Sequence, residues 1–220
     1  MADRPYTLLS CGMSIDGYLD SPDVSRLQLS NAADFDRVDA VRARCDAILV
    51  GATTVRNDNP RLLVRSAARR AERAARGLPQ SPVKVTLTRR GELAATAAFF
   101  SAGTSDKIVY CAASAAENAR ARLGAVATIV DTGCEGDADV SRIAEDLCAR
   151  GINRLMVEGG RTVLTQFLTV DLVDELHLVV APMFVGDSRA PRLVGDGRFR
   201  GIPTAGRTWP ACGRSVTWRC

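Results

Sequence analysis

A carboxylate followed by two glycines ends a strongly apolar segment of the chain. Residues 152–157 are rich in apolar and β-branched residues, as in a buried strand, and Glu158, Gly159 and Gly160 follow directly. Apolar residues return at helical spacing in 162–168, which predicts a strand, a tight turn and a helix. Glycine lets another molecule approach the backbone, and a helix start offers free N–H groups to an anion. We therefore expect a phosphate to bind here, although two glycines can equally serve the turn alone.

Glu158 favours a functional turn over a purely geometric one. In open α/β sheets, ligands bind in the crevice beyond the carboxyl ends of the strands, which is where this side chain is expected. A carboxylate buried there without a partner would cost several kcal/mol. Glu158 is therefore a candidate for catalysis and for contact with a substrate.

A second polar segment follows the apolar residues 47–50. Hydroxyl groups and free N–H groups after a strand suit a phosphate, while carboxylate and guanidinium groups suit a charged, polyhydroxylated substrate. The alternative is a capped helix followed by an Asn-Pro loop. The candidate residues of this segment are Gly51, Thr53, Thr54, Asp58, Asn59 and Arg65.

Several other chemistries find no support in the residue types. The only histidine, His177, alternates with apolar residues in a predicted strand and is expected to be structural. The Gly-x-Ser-x-Gly motif of hydrolases and the zinc signature of nucleobase deaminases are both absent. The seven cysteines form no Cys-x-x-Cys pair, so we expect buried thiols and no metal site. The first residues show no signal-peptide pattern, so we expect a cytoplasmic protein. Asp16 and Gly17 predict a tight turn.

The composition indicates one globular domain spanning residues 1–220. The chain is 46% hydrophobic and 25% charged, with a net charge of +4 and only 5% aromatic residues. Nucleic-acid binding usually requires a basic stripe with aromatics, so we expect no nucleic-acid partner. No apolar run approaches the roughly 20 residues needed to span a bilayer, so we expect no membrane insertion.

These side chains must be positioned by elements that alternate along the chain. Short apolar segments, read as strands, alternate with segments of helical spacing, which predicts an α/β fold with a mostly parallel sheet and helices on both faces. The Arg/Ala-rich segment 64–82 is predicted to be a mobile surface excursion, and 215–220 a closing edge strand.

Three segments resemble a known enzyme family. Residues 14–19 (SIDGYL), 41–65 and 157–186 resemble the reductase domain of the bifunctional riboflavin-biosynthesis deaminase/reductase and its stand-alone pyrimidine reductase relatives. The resemblance covers residues 5–200 and implies a dihydrofolate-reductase-like three-layer fold without a deaminase domain. It also implies a homodimer that uses NADPH to reduce the phosphoribosylamino side chain of an aminopyrimidine to a ribitylamino chain.

The residue types and the resemblance together give a predicted site. Asp58 and Glu158 are the candidate catalytic residues, and Asp58, or a water that it holds, is expected on the proton path. Arg89 and Arg90 follow a strand and can pair with the 2′-phosphate of NADPH, or else be two solvated loop arginines. The expected substrate contacts are Arg42, Asn59, Leu62, Arg65 and Glu158. The expected cofactor contacts are Gly12, Gly51, Thr54, Asp58, Arg89, Gly159, Gly160, Arg161, Thr162 and Val163.

Two residues depart from the family pattern. Ser10 stands where a lysine is common, and Gln28 stands in an aromatic position. A reductase of the same fold that acts on a dihydrofolate-like or specialised-pathway pyrimidine or pteridine therefore stays open, as does a non-catalytic nucleotide-binding protein.

Overall fold

The computed structural model describes residues 3–22, 27–136 and 138–199. Its strands are β1 (Tyr6–Ser14), β2 (Ala47–Gly51), β3 (Val83–Thr88), β4 (Lys107–Cys111), β5 (Thr128–Asp131), β6 (Arg154–Gly159) and β7 (Glu175–Ala181). Its α-helices are α1 (Ala32–Arg42), α2 (Ala52–Asp58), α3 (Ala67–Ala75), α4 (Ala98–Ser101), α5 (Ala116–Leu123), α6 (Val140–Ala149) and α7 (Arg161–Thr169). The edge strand predicted at 215–220 lies outside the described residues.

Within these ranges the seven strands form one parallel sheet, in the order β5-β4-β3-β2-β6-β1-β7. The predicted parallel character is thus confirmed. All carboxyl ends of the strands meet at one edge of the sheet. Strand β6 lies between β1 and β2, where the order of the strands changes direction, and ligands of open α/β sheets bind at such a switch point.

Helices cover both faces of the sheet, as the three-layer prediction requires. Ile48 and Leu49 are adjacent and fully buried, yet point to opposite faces, as neighbouring residues of a strand do. The cluster around Leu49 includes Leu147 of α6 and Phe167 of α7. The cluster around Ile48 includes Phe99 of α4. The apolar run in β2 therefore reflects burial on both sides.

In the described part of the chain, no helix combines the length and the apolar character needed to cross a membrane.

The prediction of a mobile excursion at 64–82 is wrong. Residues 67–75 of this segment form helix α3, whose N-cap Ser66 accepts a hydrogen bond from the Arg69 N–H. Arg73 is buried, and its guanidinium donates to the carbonyls of Ala43, Cys45 and Pro79 at 2.7–3.0 Å. Because these three carbonyls satisfy the charged head, an arginine takes a core position that the sequence pattern assigns to solvent.

Asp16 and Gly17 form the tight turn predicted for them. Gly17 has a φ of 87°, a conformation that favours glycine. The Asp16 carboxylate accepts from the Ser14 hydroxyl at 2.6 Å and from two backbone N–H groups at residues 185 and 186. These bonds, the Ser14 hydroxyl first, lower the pKa of Asp16 to about 2.

The one histidine is a structural residue, as expected. Arg37 donates to Nδ1 of His177 at 2.9 Å, and the other ring nitrogen lies 2.7 Å from Glu175 Oε1. Since a guanidinium can only donate, the neutral ring carries its proton on Nε2 and donates to Glu175.

Lys84 in β3 is a fully buried cation. Its ammonium donates to the carbonyls of Phe99 and Ala102, at 2.9 and 2.6 Å, at the end of α4. Burial, aided by the charges of Lys107 and Arg42, lowers the pKa of Lys84 from 10.5 to about 8.

We expect Lys84 to make stability rise with pH between about 8 and 10.5. Over this window the folded protein releases a proton that the unfolded chain still holds, so the free energy of unfolding increases with pH. Below pH 8 both states are protonated and the contribution is flat. Urea unfolding at several pH values, for the wild type and for Lys84→Met, measures this slope. A slope equal in both proteins would contradict the prediction.

Candidate active site

A cleft of about 1690 Å³ opens at the carboxyl ends of β1, β2, β3 and β6. Pockets for one drug-sized ligand usually measure about 300–1,000 Å³, so this cleft has room for two small molecules. Ser10, Gln28 and Arg90 lie in its wall. It also brings together every predicted site residue except Asn59, namely Gly12, Arg42, Gly51, Thr54, Asp58, Leu62, Arg65, Arg89, Glu158, Gly159, Gly160, Arg161, Thr162 and Val163.

Asn59 lies outside the cleft lining. It ends α2 in a left-handed conformation with a φ of 45°, which asparagine tolerates better than most residues. Its side-chain oxygen accepts from the Ala98 N–H at 2.7 Å, in the first turn of α4. The amide that the sequence assigned to a substrate is therefore bound to the protein's own backbone.

The two glycines after Glu158 have different surroundings. Gly159 and Gly160 have φ angles of 138° and 89°. A Cβ added to Gly160 would lie 3.2 Å from Thr54 Oγ1 and 3.6 Å from the Gly51 backbone, whereas no described atom lies within 4 Å of one added to Gly159. The close approach at Gly160 is thus made by the turn between β2 and α2, and Gly159 faces open space.

The close approach of Gly160 to Gly51 and Thr54 places the N-termini of two helices side by side. Both α2 and α7 have a glycine N-cap, neither has a side-chain cap, and neither carries an acidic residue in its first turn. Their first N–H groups lack intrahelical acceptors and carry the positive end of each helix dipole. Arg161 and Thr162 at the start of α7 are exposed in the cleft. This donor set fits the diphosphate of a nucleotide cofactor.

Glu158 has a partner within the protein, which is Arg42. The guanidinium Nε and Nη2 donate to Oε1 and Oε2 of Glu158, each at 2.5 Å, and the two side chains are only 13% and 11% exposed. Burial alone would lower the pKa of Arg42, but the charge of Glu158 outweighs it and raises that pKa. The structure therefore joins two predicted substrate contacts into one bidentate ion pair at the cleft wall.

Four other arginines in the cleft have no acidic partner in the described ranges. None of the ion pairs seen there includes Arg61, Arg65, Arg89 or Arg90. The Arg65 guanidinium lies 5.2 Å from the centroid of the Phe35 ring, an arrangement that holds it by a cation–π contact. These free positive charges favour anionic ligands at two ends of the cleft.

Sequence reasoning missed Asp39, one of two buried carboxylates of α1 in the cleft wall. It lies three residues before Arg42 on α1 and accepts from the backbone N–H groups of Arg65 and Ser66 and from the side chain of Arg69. Burial disfavours its charge, but these donors outweigh it and lower the pKa of Asp39. The spacing from Arg42, which puts both residues on one helix face, was the only signal in the sequence.

Comparison with known proteins places these features in context. The RibD C-terminal domain family matches residues 5–215. The 2,5-diamino-6-ribosylamino-4(3H)-pyrimidinone 5′-phosphate reductase of Archaeoglobus fulgidus is 32% identical over 89% of this chain and 89% of its own. The protein of the same name from Methanothermobacter thermautotrophicus is 36% identical over 88% of this chain and 86% of its own.

A solved structure supports the fold. The diaminohydroxyphosphoribosylaminopyrimidine deaminase/5-amino-6-(5-phosphoribosylamino)uracil reductase of Thermotoga maritima superposes with a TM-score of 0.71 at 24% identity, over 91% of this chain and 51% of that one. At this identity the superposition speaks for the fold alone.

Proposed function

The chain belongs to the RibD C-terminal domain family, and from this premise we propose that it is a pyrimidine reductase of riboflavin biosynthesis that uses NADPH. In this reaction the phosphoribosylamino side chain of an aminopyrimidine 5′-phosphate becomes a ribitylamino chain. The observation that carries the proposal is the pair of uncapped helix N-termini in a cleft with room for two ligands.

The cofactor end of the cleft lies at the two βα turns. The N–H groups at the start of α7 bind the diphosphate, and the empty space where a Cβ of Gly159 would lie leaves room for the cofactor. Thr54 adds a hydroxyl from the neighbouring turn. Gly12 at the carboxyl end of β1 leaves space near the reacting centre. NADPH, when bound, supplies a hydride from its nicotinamide ring.

The substrate end lies between α1 and the segment that follows α2. Arg65 binds the sugar phosphate, and the left-handed Leu62 forms the wall beside it. The Arg42–Glu158 pair orients the substrate, whose polar groups bind the remaining lone pairs of the carboxylate. Asp58, at the end of α2, holds a proton or a water for the nitrogen or oxygen that must be protonated. Positioning of the pyrimidine against the cofactor supplies most of the rate enhancement.

The activity is tested by following the absorbance of the reduced cofactor with and without freshly prepared pyrimidine substrate. Oxidation that depends on the pyrimidine supports the proposal. Binding of NADPH without oxidation points to a nucleotide-binding protein, and oxidation only with another pyrimidine or pteridine points to a different substrate.

We expect a preference for NADPH over NADH that depends on Arg89. Its guanidinium follows β3, is exposed in the cleft and has no acidic partner in the described ranges, so it can pair with the 2′-phosphate. Arg89→Ala should reduce the ratio of the two affinities by roughly tenfold, about 1.4 kcal/mol. Titration of both cofactors measures this. Arg76→Ala, an exposed arginine that does not line the cleft, is the control and should leave the ratio unchanged.

We propose a homodimer formed through the β7 side of the sheet. Strand β7 is an edge strand of the described sheet, with Leu176 45% exposed, and Phe184, which follows it, is 70% exposed. Phe184→Asp should shift the protein towards monomer in sedimentation velocity runs. Val126→Asp places the same charge on an exposed apolar residue next to the opposite edge strand and should leave the mass unchanged. A wild-type monomer at micromolar concentration would contradict the proposal.

A further inference from the structure

The segment between α2 and α3, residues 59–66, forms one wall of the substrate end, and we call it the substrate loop. It has no helical or strand structure, so its backbone groups cannot pair in a regular ladder. Leu62 lies within it at a φ of 49°, in a region that a leucine rarely occupies. Such a conformation persists only where the surroundings hold it.

Side chains from elsewhere in the fold hold the backbone of this loop. On the donor side, the Val64 N–H binds Ser81 Oγ at 3.0 Å, and the Arg65 and Ser66 N–H groups both bind the Asp39 carboxylate. On the acceptor side, Arg42 donates to the Leu63 carbonyl at 3.2 Å, and Arg70 donates to the carbonyls of Val64 and Arg65 at 3.1 and 2.5 Å. Successive peptide groups are therefore fixed from both sides.

Asp39 is the member of this set that an amide cannot replace. Its side chain is 5% exposed, and its two oxygens face only donors, namely Arg65 N–H at Oδ1 and Ser66 N–H with Arg69 Nη1 at Oδ2. An asparagine would turn an NH₂ group towards one of these donors and leave a buried N–H without an acceptor.

We propose that Asp39 is a positioning residue for the substrate: by binding the N–H groups of Arg65 and Ser66, it fixes the unpaired Arg65 guanidinium where the sugar phosphate binds. The identity of the anion rests on the proposed function. The Arg65 side chain then has two supports, the backbone bond to Asp39 and the ring of Phe35, and both come from α1. Helix α1 therefore influences the affinity for the phosphate through Asp39 and Phe35, in addition to the contact expected of Arg42.

The test is Asp39→Asn, with Asp36→Asn as the matched control. Asp36 lies one turn earlier on α1, is 70% exposed and also binds Arg69, at 2.7 Å, but it makes no hydrogen bond to the loop. Asp39→Asn should raise KM for the pyrimidine roughly 10- to 100-fold, with kcat and the NADPH dissociation constant changed less than about threefold. Asp36→Asn should change none of the three. An unchanged KM, or parallel losses in KM, kcat and NADPH affinity, would overturn the proposal.

A double-mutant cycle with Arg65→Ala tests the route of the effect. If Asp39 acts through Arg65, Asp39→Asn should have little further effect on KM once the guanidinium is gone. Additive effects would overturn the proposal. Should Asp39→Asn fail to fold, Asp39→Glu replaces it in the same cycle, because it keeps the charge but displaces the carboxylate from the Arg65 and Ser66 N–H groups, and the same outcomes decide.

Ribose 5-phosphate separates this inference from the proposed function. Its dissociation constant can be measured by calorimetry without turnover. If the wild type binds ribose 5-phosphate, and Asp39→Asn loses this binding while Asp36→Asn keeps it, the positioning role is supported even if no pyrimidine is reduced. A dissociation constant that is the same in all three proteins would overturn the role even if the wild type is an active reductase.

Discussion

Glu158→Gln should cost the protein both stability and turnover. The substitution keeps the size of the side chain but leaves the largely buried Arg42 guanidinium without its counter-charge. Removing one partner of such a pair usually costs about 3–5 kcal/mol, and with 13% and 11% exposure we expect about 2–4 kcal/mol in the free energy of unfolding. We expect kcat/KM for the pyrimidine to fall by at least about tenfold, with NADPH binding nearly intact.

The control for Glu158 is the double variant Arg42→Met with Glu158→Met. Replacing a buried ion pair by apolar side chains of similar volume is often neutral for stability, so urea unfolding should show much of the loss recovered. Turnover should stay low, because the substrate then meets no carboxylate. A double variant with restored turnover would show that Glu158 serves only to neutralise Arg42.

Gly160→Val should remove cofactor binding, with the NADPH dissociation constant raised about 100-fold. The branched side chain must adopt a φ near 89° and also meets Thr54 Oγ1 and the Gly51 backbone, so the two turns separate. The N-termini of α2 and α7 then no longer face one ligand. Fluorescence titration of NADPH measures the loss.

Gly17→Val provides the matched control for this position. Gly17 has nearly the same φ, 87°, but no described atom lies within 4 Å of an added Cβ, and it does not line the cleft. It should lose about 1–3 kcal/mol of stability through backbone strain while binding NADPH normally. Equal loss of binding in both variants would assign the effect of Gly160→Val to general destabilisation.

Local patterns predicted the elements of this fold well. The apolar run in β2 and the helical spacing after Gly160 each depend on neighbours within a few residues, and both are confirmed. The order of the strands depends on pairings between distant segments, such as Tyr6 with Arg154, and no local pattern encodes those. The alternation of strands and helices predicted helices on both faces of the sheet, and the family resemblance added the dihydrofolate-reductase-like fold.

The candidate site shows the same division. Glu158 and the two glycines could be found from the sequence because a strand end, a carboxylate and a turn lie together in it. Asp39 could not, because its partners are 26 and 27 residues away and an aspartate on a helix usually faces water. Arg73 was misjudged for a related reason, since the carbonyls that satisfy it belong to other segments.

The position of β6 between β1 and β2 has a consequence for the newly made chain. Among the described strands β1 pairs only with β6 and β7, so β1 waits without a partner until residues 154–159 are synthesised. Closing so long a loop is slow, and until then β1 and β2 expose edges on which chains can aggregate. Strand β6 also carries Glu158 and Gly159. The late step that joins β1 to β2 through β6 therefore also brings Glu158 and Gly159 to the ligand cleft, and a fragment that ends before β6 should bind neither cofactor nor substrate.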